Sequence, residues 1–461
     1  MTQAEEMAAF VERVSYSDLS GEASRQIKIR VLDALGCSLR ALMAEPIRIL
    51  KSQIEDFNGA GLCTLIGGGR TAPDRAAFYN SALVRYLDFN DAYLAPGETC
   101  HPSDNLGAVL AASEYANRSG RDLMGALALA YQVQCRLSDL APLRRKGFDH
   151  TTQGSYAVAA GVSKALGLDR VKTAHAIAIC GTAFNALRVT RTGALSNWKG
   201  LAYPNAAFGC THGTFLAMRG ITGPLEVFEG NKGFMDAIAG RFEIDWSKED
   251  LERVTQTILK RFNAEIHSQS VLEGILELKQ EHALTGQEIE KIQIEIFSVA
   301  YNIIGGGEEG DKTIVRTKEE ADHSLPYLTA VAILDGQVMP DQYRPARIRS
   351  PDVQELLRKV TVKPEAGYSR KFPKEMPCRI VVTLRNRRAL VKEKRDYEGF
   401  RTRPMSWDTA VKKFEGLSFS SVDRSLSQRI IDAVSHLESI QVSELTRLLR
   451  EVRPSPTERS I

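Results

Sequence analysis

The sequence predicts a mainly α-helical protein that carries a smaller α+β domain. Three observations support this class: helical periodicity dominates roughly the first 260 residues, an alternating pattern follows from about residue 270, and helical periodicity returns at about residue 408. The chain has 461 residues, which is long enough for two or three hydrophobic cores.

The predicted helices of the first part are rich in Ala and Gly. In the first of them, apolar residues recur at spacings of three and four, which is typical of one helix face. Helices are predicted on this basis over residues 25–43, 105–115, 123–137, 155–166 and 173–187. Small residues on both faces let helices approach closely, so we expect a tight bundle in which several helices are buried on all sides.

The second part mixes strands and helices. Residues 289–300 alternate, and Ile292, Ile294 and Ile296 fall on one face of a predicted strand. Further strands are predicted at 360–362 and in a hairpin of 379–384 with 388–394. Helices are predicted at 268–280, 326–334, 408–414 and 425–435. Residues 355–359 are predicted to form the end of another helix.

Composition excludes several classes of partner. Lys plus Arg total 60 and Asp plus Glu 57, so a net charge of +3 predicts no nucleic-acid or membrane partner. The acidic N-terminus does not resemble a signal peptide, and no apolar run approaches the roughly 18 residues of a membrane span. Seven scattered cysteines without a CxxC pair predict reduced thiols and a cytoplasmic protein without a zinc or iron–sulfur site.

Candidate site residues lie at predicted helix starts. Exposed N–H groups at such starts bind anions, and cationic neighbours strengthen the effect. Four histidines have this position, and a lysine lies a few residues before a helix that Pro204 is predicted to open: His101, His150, His267, His323 and Lys199. If these starts converge, they form a pocket for a small polycarboxylate, to which Arg188 and Arg191 add bidentate clamps.

Simpler interpretations stand beside these. A histidine near a helix start is more often a capping or partly exposed residue than a catalyst. Asp88 is as well explained by capping or by pairing with an arginine. The glycine runs at 67–69 and 305–310 are interpreted as turns, because neither has the setting of a phosphate loop. No pair of residues has metal-ligand spacing, so no metal is expected.

The stretch LDFNDAYLAPGETCHPSDNLGAVLA, residues 87–111, resembles the signature of the MmgE/PrpD family, and further matching segments follow in family order to about residue 336. The resemblance implies an all-helical domain of residues 1–269, an α+β lid of 270–404, and a C-terminal segment, 405–461, that returns to the helical domain. It also implies a homodimer without a cofactor. Carried onto matching positions, the site residues are Asp88, His101, His150, Lys199, His267 and Tyr327.

The chain departs from the family pattern at several positions. Ala92 stands where Thr is common, Asn263 where Pro is common, and an ETC insertion precedes His101. The HPSDN segment, which supplies Ser103 as a further substrate-binding candidate, resembles the dehydratase branch of the family more than the decarboxylase branch. These departures favour the general site over any one substrate.

The resemblance and the residues together predict a lyase that eliminates water from a citrate-like hydroxy-polycarboxylate, similar to 2-methylcitrate dehydratase. His101 and His150 are expected to share proton transfer, in an order that the sequence leaves open. Carboxylates are expected to bind Lys199 and His267, with His323 nearby, while Asp88 orients a histidine and Tyr327 donates to the developing anion. The alternatives are decarboxylation or epimerisation of a related acid, and a non-catalytic polycarboxylate-binding protein.

Overall fold

The computed structural model describes residues 1–57, 59–193 and 195–453. Helices dominate and a four-stranded mixed sheet accompanies them, so the predicted class, mainly α with a smaller α+β region, is confirmed. None of the described helices combines the length and the apolar composition that crossing a membrane requires. All seven cysteine side chains are buried thiols.

Contacts divide the described chain into two units. Among the described residues, the helical unit comprises residues 1–190, 200–257 and 406–453, and the α/β unit comprises Arg191–Lys199 and Ile258–Met405. The first boundary therefore lies earlier than the predicted 269/270. The physical reason is main-chain hydrogen bonding, because residues 259, 263 and 265 donate to the carbonyls of residues 399, 338 and 322 of the α/β unit.

The chain up to residue 218 forms most of the helical unit. Its helices are α1 (Gln3–Arg13), α2 (Gly21–Ala41), α3 (Glu45–Phe57), α4 (Pro73–Tyr86), α5 (Leu106–Tyr115), α6 (Gly120–Leu140), α7 (Thr151–Leu166), α8 (Arg170–Ala183) and α9 (Trp198–Met218). Residues 151–163 of α7 are all buried, as the Ala- and Gly-rich pattern predicted. The helix predicted over 173–187 ends early, at Ala183.

Two short antiparallel hairpins interrupt the helices, and the sequence did not predict them. They pair β1 (Cys63–Thr64) with β2 (Arg70–Thr71), and β3 (Tyr93–Ala95) with β4 (Glu98–Cys100). Strands of two or three residues are too short to show alternation, which explains why they were missed. The second hairpin matters for function because it joins the Asp88 segment to His101.

The prediction that Pro204 opens a helix is wrong. Helix α9 begins at Trp198, and Pro204 lies inside it. A proline inside a helix leaves one carbonyl without its usual donor, so tertiary packing has to hold the preceding turn. Tyr203, fully buried, donates its hydroxyl to Asn105 Oδ1 at 3.0 Å and so anchors that turn.

The α/β unit is built around one mixed sheet. Its elements are α10 (Gln269–His282), β5 (Ile289–Ile296), α11 (Ser298–Ala300), α12 (Lys318–Ala321), α13 (Leu325–Asp335), α14 (Pro345–Ile348), α15 (Pro351–Leu357), β6 (Val360–Pro364), α16 (Ala366–Lys371), β7 (Cys378–Leu384) and β8 (Ala389–Lys394). The strand order is β6-β5-β7-β8, in which only β5 and β6 are parallel. Ile292, Ile294 and Ile296 are buried as predicted, but the strand ends at Ile296.

The C-terminal part returns to the helical unit as α17 (Trp407–Ser418), α18 (Arg424–Ser435) and α19 (Val442–Glu451). Helix α17 packs closely on α2 because Gly36 has no side chain there. A Cβ at Gly36 would lie 3.3 Å from the Cα of Phe414 and 3.4 Å from Leu417 Cδ1. The polar tail predicted after α19 falls largely on 454–461, outside the described residues.

Candidate functional site

His101 lies in a buried group of polar residues of the helical unit, which we call the histidine cluster (Asp91, His101, Asp104, Asp149 and His150). It follows β4 and begins the short helical turn Pro102–Asn105, which leads into α5. Its Nδ1 lies 2.7 Å from the main-chain carbonyl oxygen of Asp91. A carbonyl oxygen can only accept, so Nδ1 carries a proton, and in the neutral form of the ring the lone pair lies on Nε2. That is the tautomer of a base.

The Asp91 side chain is fixed by the segment that follows His101. Its Oδ1 accepts hydrogen bonds from the Ser103 N–H at 3.1 Å and from the Ser103 hydroxyl at 2.7 Å. Asn90 Nδ2 donates to Ser103 Oγ and to Asp104 Oδ1, both at 2.8 Å. Burial raises the pKa of Asp91 to about 6, outweighing the opposite effect of the Ser103 hydrogen bonds. Ser103 thus holds the Asp91 carboxylate in place.

His150 immediately precedes α7 and is flanked by two carboxylates. Its Nδ1 lies 3.4 Å from Asp149 Oδ1, and its Nε2 lies 4.0 Å from Asp104 Oδ2. Asp149 is also held by Thr151, whose N–H and hydroxyl donate to its Oδ1 at 3.1 and 2.6 Å. The rings of His101 and His150 meet edge to face with centroids 5.4 Å apart. The two histidines predicted to share proton transfer are therefore neighbours.

Asp88 forms a buried ion pair with Arg85. Asp88 Oδ1 lies 2.6 Å from Arg85 Nη1, and its φ of 53° is a left-handed conformation that Asp tolerates better than most residues. Burial lowers the pKa of Arg85, but the carboxylates of Asp88 and Asp104 outweigh it and raise that pKa. The orienting contacts described above for His101 and His150 come from Asp91 and Asp149. The ion pair with Arg85 agrees with the simpler interpretation of Asp88, and its role in orienting a histidine stays a prediction.

A second group, in the α/β unit, surrounds Asp322, and we call it the lysine cluster (Lys199, Lys318, Asp322 and His323). Asp322 Oδ1 accepts from Lys199 Nζ at 2.9 Å and from His323 Nδ1 at 2.6 Å, and its Oδ2 accepts from Lys318 Nζ at 2.9 Å. Burial alone would raise the pKa of Asp322, but the surrounding cations lower it well below its usual range. Asp322 is thus a permanent anion that holds three basic side chains.

His267 pairs with Glu265 beside this cluster. Its Nδ1 lies 2.6 Å from Glu265 Oε1, and its main-chain N–H donates to Glu265 Oε2 at 2.7 Å. Burial raises the pKa of Glu265, but His267, His323 and Lys260 together lower it to about 2. His267 Nε2 is buried and has no hydrogen-bond partner among the described residues, although the rings of Phe297 and Phe372 lie 5.6 and 5.5 Å away.

Tyr327, a predicted donor to the developing anion, lies in the α/β unit. It is fully buried, and its hydroxyl donates to the main-chain carbonyl of Gln342. Burial also raises the pKa of its phenol. Donation by Tyr327 to a substrate stays a prediction.

The two predicted arginine clamps lie in different units. Arg188 belongs to the helical unit, and its Nη1 is 3.9 Å from Asp149 Oδ2. Arg191 belongs to the α/β unit, and its Nη1 donates to the main-chain carbonyl of Lys199 at 3.0 Å. Each arginine therefore supports one cluster. That the two clusters meet around one ligand stays a prediction.

Sequence reasoning missed the carboxylates that organise both clusters. Three of them have a common signal, because an acidic residue lies one or two positions before a histidine: Asp149 before His150, Glu265 before His267 and Asp322 before His323. A carboxylate beside an imidazole fixes its orientation and stabilises positive charge on it. Asp91 and Asp104 offered no such signal, since their contacts depend on the β3–β4 hairpin.

Comparison with known proteins covers both units. Residues 5–247 match the MmgE/PrpD N-terminal domain, and residues 262–439 match the MmgE/PrpD C-terminal domain. Cis-aconitate decarboxylase of Mus musculus is 26% identical over 474 residues, covering 97% of this chain and 93% of that protein. The mitochondrial 2-methylcitrate dehydratase of Yarrowia lipolytica is 26% identical over 376 residues, covering 77% and 71%. The 2-methylcitrate dehydratase of Salmonella typhi is 27% identical over 369 residues, covering 74% and 73%. With the two domain matches spanning most of its length, the chain belongs to the MmgE/PrpD family.

Proposed function

We propose that the protein is a lyase that eliminates water from a small, citrate-like hydroxy-polycarboxylate. The observation that carries the proposal is the hydrogen bond from His101 Nδ1 to the Asp91 carbonyl, which leaves the lone pair on Nε2. An imidazole whose Nδ1 is held by a carbonyl accepts a proton at Nε2 when the ring is neutral. The neighbouring His150 supplies a second proton-transfer group.

The reaction requires a base and an acid. His101 Nε2 removes a proton from the carbon next to a carboxylate, and the electron pair of that C–H bond forms the new C=C bond. The hydroxyl on the adjacent carbon leaves with its bonding pair and takes a proton from His150, so the products are water and an unsaturated acid. His150 is assigned as the acid because Asp149 and Asp104 flank its ring and stabilise a positive charge there.

The lysine cluster is proposed to bind carboxylate groups of the same substrate. Lys199, Lys318 and His323 share Asp322 as a hydrogen-bond partner, which gathers cationic groups in one place when they are protonated. Fixed cations stabilise the charge that builds on a carboxylate as the proton leaves.

A second candidate function is decarboxylation of an aconitate-like acid. The observation that favours it is coverage, because the cis-aconitate decarboxylases of Mus musculus and Homo sapiens align with 97% and 98% of this chain. The two dehydratases named above align with 77% and 74%. In decarboxylation the C–CO2 bond breaks, its electron pair stays on the substrate, and the carbon that receives the negative charge takes a proton. His150 would supply that proton, and the same cations would stabilise the charge.

A substrate panel tests these proposals. Purified protein is incubated with 2-methylcitrate, citrate and cis-aconitate, and mass spectrometry reports the products. Elimination predicts that a hydroxy acid loses about 18 mass units, the mass of water. Loss of carbon dioxide from cis-aconitate would favour the second candidate instead. Thermal stabilisation by these acids without turnover would contradict both reactions and indicate a binding protein.

A further inference from the structure

The C-terminal helix α17 reaches the site segment through one buried lysine. Lys413 Nζ lies 2.6 Å from Asp33 Oδ1 of α2 and donates to the main-chain carbonyl of Phe89 at 2.9 Å. The ammonium also lies 3.7 Å from the centroid of the Phe89 ring. Both charged side chains of the pair are buried. A buried ammonium thus holds a carbonyl in the middle of segment 88–91.

That segment carries the contacts on which the histidine cluster depends. Asp88, directly before Phe89, has a left-handed backbone with φ of 53°. Asn90, directly after it, donates to Ser103 and Asp104, and the Asp91 carbonyl accepts from His101 Nδ1. A segment with a strained residue needs external contacts to keep its conformation. Lys413 provides such a contact from a helix that lies 324 residues further along the chain.

The packing of α17 on α2 makes the contact geometrically fixed. Gly36 allows Phe414 to approach α2 closely, and Asp33 lies one helical turn before Gly36 on the same face. Lys413 is adjacent to Phe414, so the close approach that seats Phe414 also brings Lys413 to Asp33. Burying an ion pair costs desolvation free energy and adds little stability by itself, so specific positioning is the better explanation for it.

We propose that Lys413 is a positioning residue of the histidine cluster. By fixing the Phe89 carbonyl, its ammonium sets the conformation of segment 88–91 and, through the Asp91 carbonyl, the tautomer and orientation of His101. The effect on turnover rests on the proposed function, whereas the effect on the His101 ring does not. The two can therefore be measured separately.

The test replaces the ion pair by apolar side chains of similar size, Asp33→Leu with Lys413→Met. Such replacements commonly leave stability near the wild-type level. The matched control is Lys28→Met with Glu438→Leu, because Lys28 also joins α2 to the C-terminal part, pairing with Glu438 at 3.1 Å and with the Ser435 carbonyl at 3.0 Å. Thermal unfolding, turnover on the active acid of the panel, and NMR of 15N-labelled histidine are measured for both.

We expect the Asp33/Lys413 variant to keep its fold, to lose turnover about 10- to 100-fold, and to shift or lose the His101 Nδ1–H resonance. That resonance is assigned by its absence in His101→Asn, and the control variant should retain it together with full turnover. An unchanged His101 resonance in the folded variant would overturn the proposal, whatever the turnover. If the first pair does not fold, Asp33→Asn with Lys413→Met repeats the test with a closer match to the shape of Asp33.

Discussion

His101 donates from Nδ1 to the main-chain carbonyl of Asp91 across 2.7 Å, and this contact decides which ring nitrogen can accept a proton. The carbonyl is the better orienting partner for a base, because it fixes the tautomer without the full negative charge that would favour an imidazolium. His150 has the opposite surroundings, with carboxylates at 3.4 and 4.0 Å. We therefore propose different roles for the two rings, although both begin helical segments.

The first prediction concerns His101→Asn. The Asn amide keeps a donor near the position of Nδ1 but has no basic lone pair. We expect kcat to fall about 10²- to 10⁴-fold with little change in the free energy of unfolding. Steady-state kinetics and denaturant unfolding check this, with His212→Asn as control because that histidine is exposed. A wild-type rate in His101→Asn would remove this residue from the mechanism.

The second prediction concerns Asp149→Asn. The Asn side-chain oxygen can still accept from the Thr151 N–H and hydroxyl, so the cost in unfolding free energy should stay below about 1 kcal/mol. The negative charge 3.4 Å from His150 Nδ1 is lost, which should lower kcat about tenfold or more because the protonated ring loses a stabilising neighbour. Thr151→Ala is the matched control, since it removes a hydrogen bond to Asp149 without changing the charge. Equal kcat values for the two variants would argue against this role of Asp149.

The third prediction concerns Asp322→Asn. Removing the shared anion leaves Lys199, Lys318 and His323 without their common partner in a buried setting. We expect a loss of about 3–5 kcal/mol in the free energy of unfolding of the protein. Asp335→Asn, which breaks a half-buried pair with Arg347, should cost only about 1 kcal/mol. Similar losses in the two variants would show that Asp322 is not the organising anion.

The fourth prediction concerns the pH dependence of stability. The pKa of Asp91 is about 6 in the folded protein and 3.8 in the unfolded chain, so the folded state binds more protons between these values. The free energy of unfolding should therefore fall on this account as pH rises, by roughly 3 kcal/mol in total between a pH well below 3.8 and a pH well above 6. Asp91→Asn should remove this dependence, whereas Asp56→Asn, at an exposed position, should retain it.

Glu265 should show the opposite sign. Its pKa is about 2 when folded and 4.5 when unfolded, so its contribution to stability is complete above pH 4.5 and is lost as pH falls toward 2. Denaturant unfolding of Glu265→Gln across this range checks it, because the variant should lose less stability on acidification than the wild type. An equal loss would mean that Glu265 is not held as an anion by its basic neighbours.

Local pattern predicted most elements of the fold because burial leaves a periodic trace. The alternating isoleucines of β5 and the Ala- and Gly-rich α5 and α7 were located to within a few residues. Errors arose where tertiary contacts override local preference. Pro204 is a helix-start signal by itself, yet buried Tyr203 holds the preceding turn helical. The hairpins of β1–β4 are too short to leave any periodic trace.

The sequence by itself determined the fold class, the family resemblance and the candidate histidines, because periodicity and motif residues are local properties of the chain. Only the tertiary structure decided which groups orient those histidines. Asp91 acts through its main-chain carbonyl, and Lys413 reaches Phe89 across hundreds of residues, as a consequence of how α17 packs on α2. Such contacts depend on distances between segments remote in sequence, and no local pattern encodes those distances.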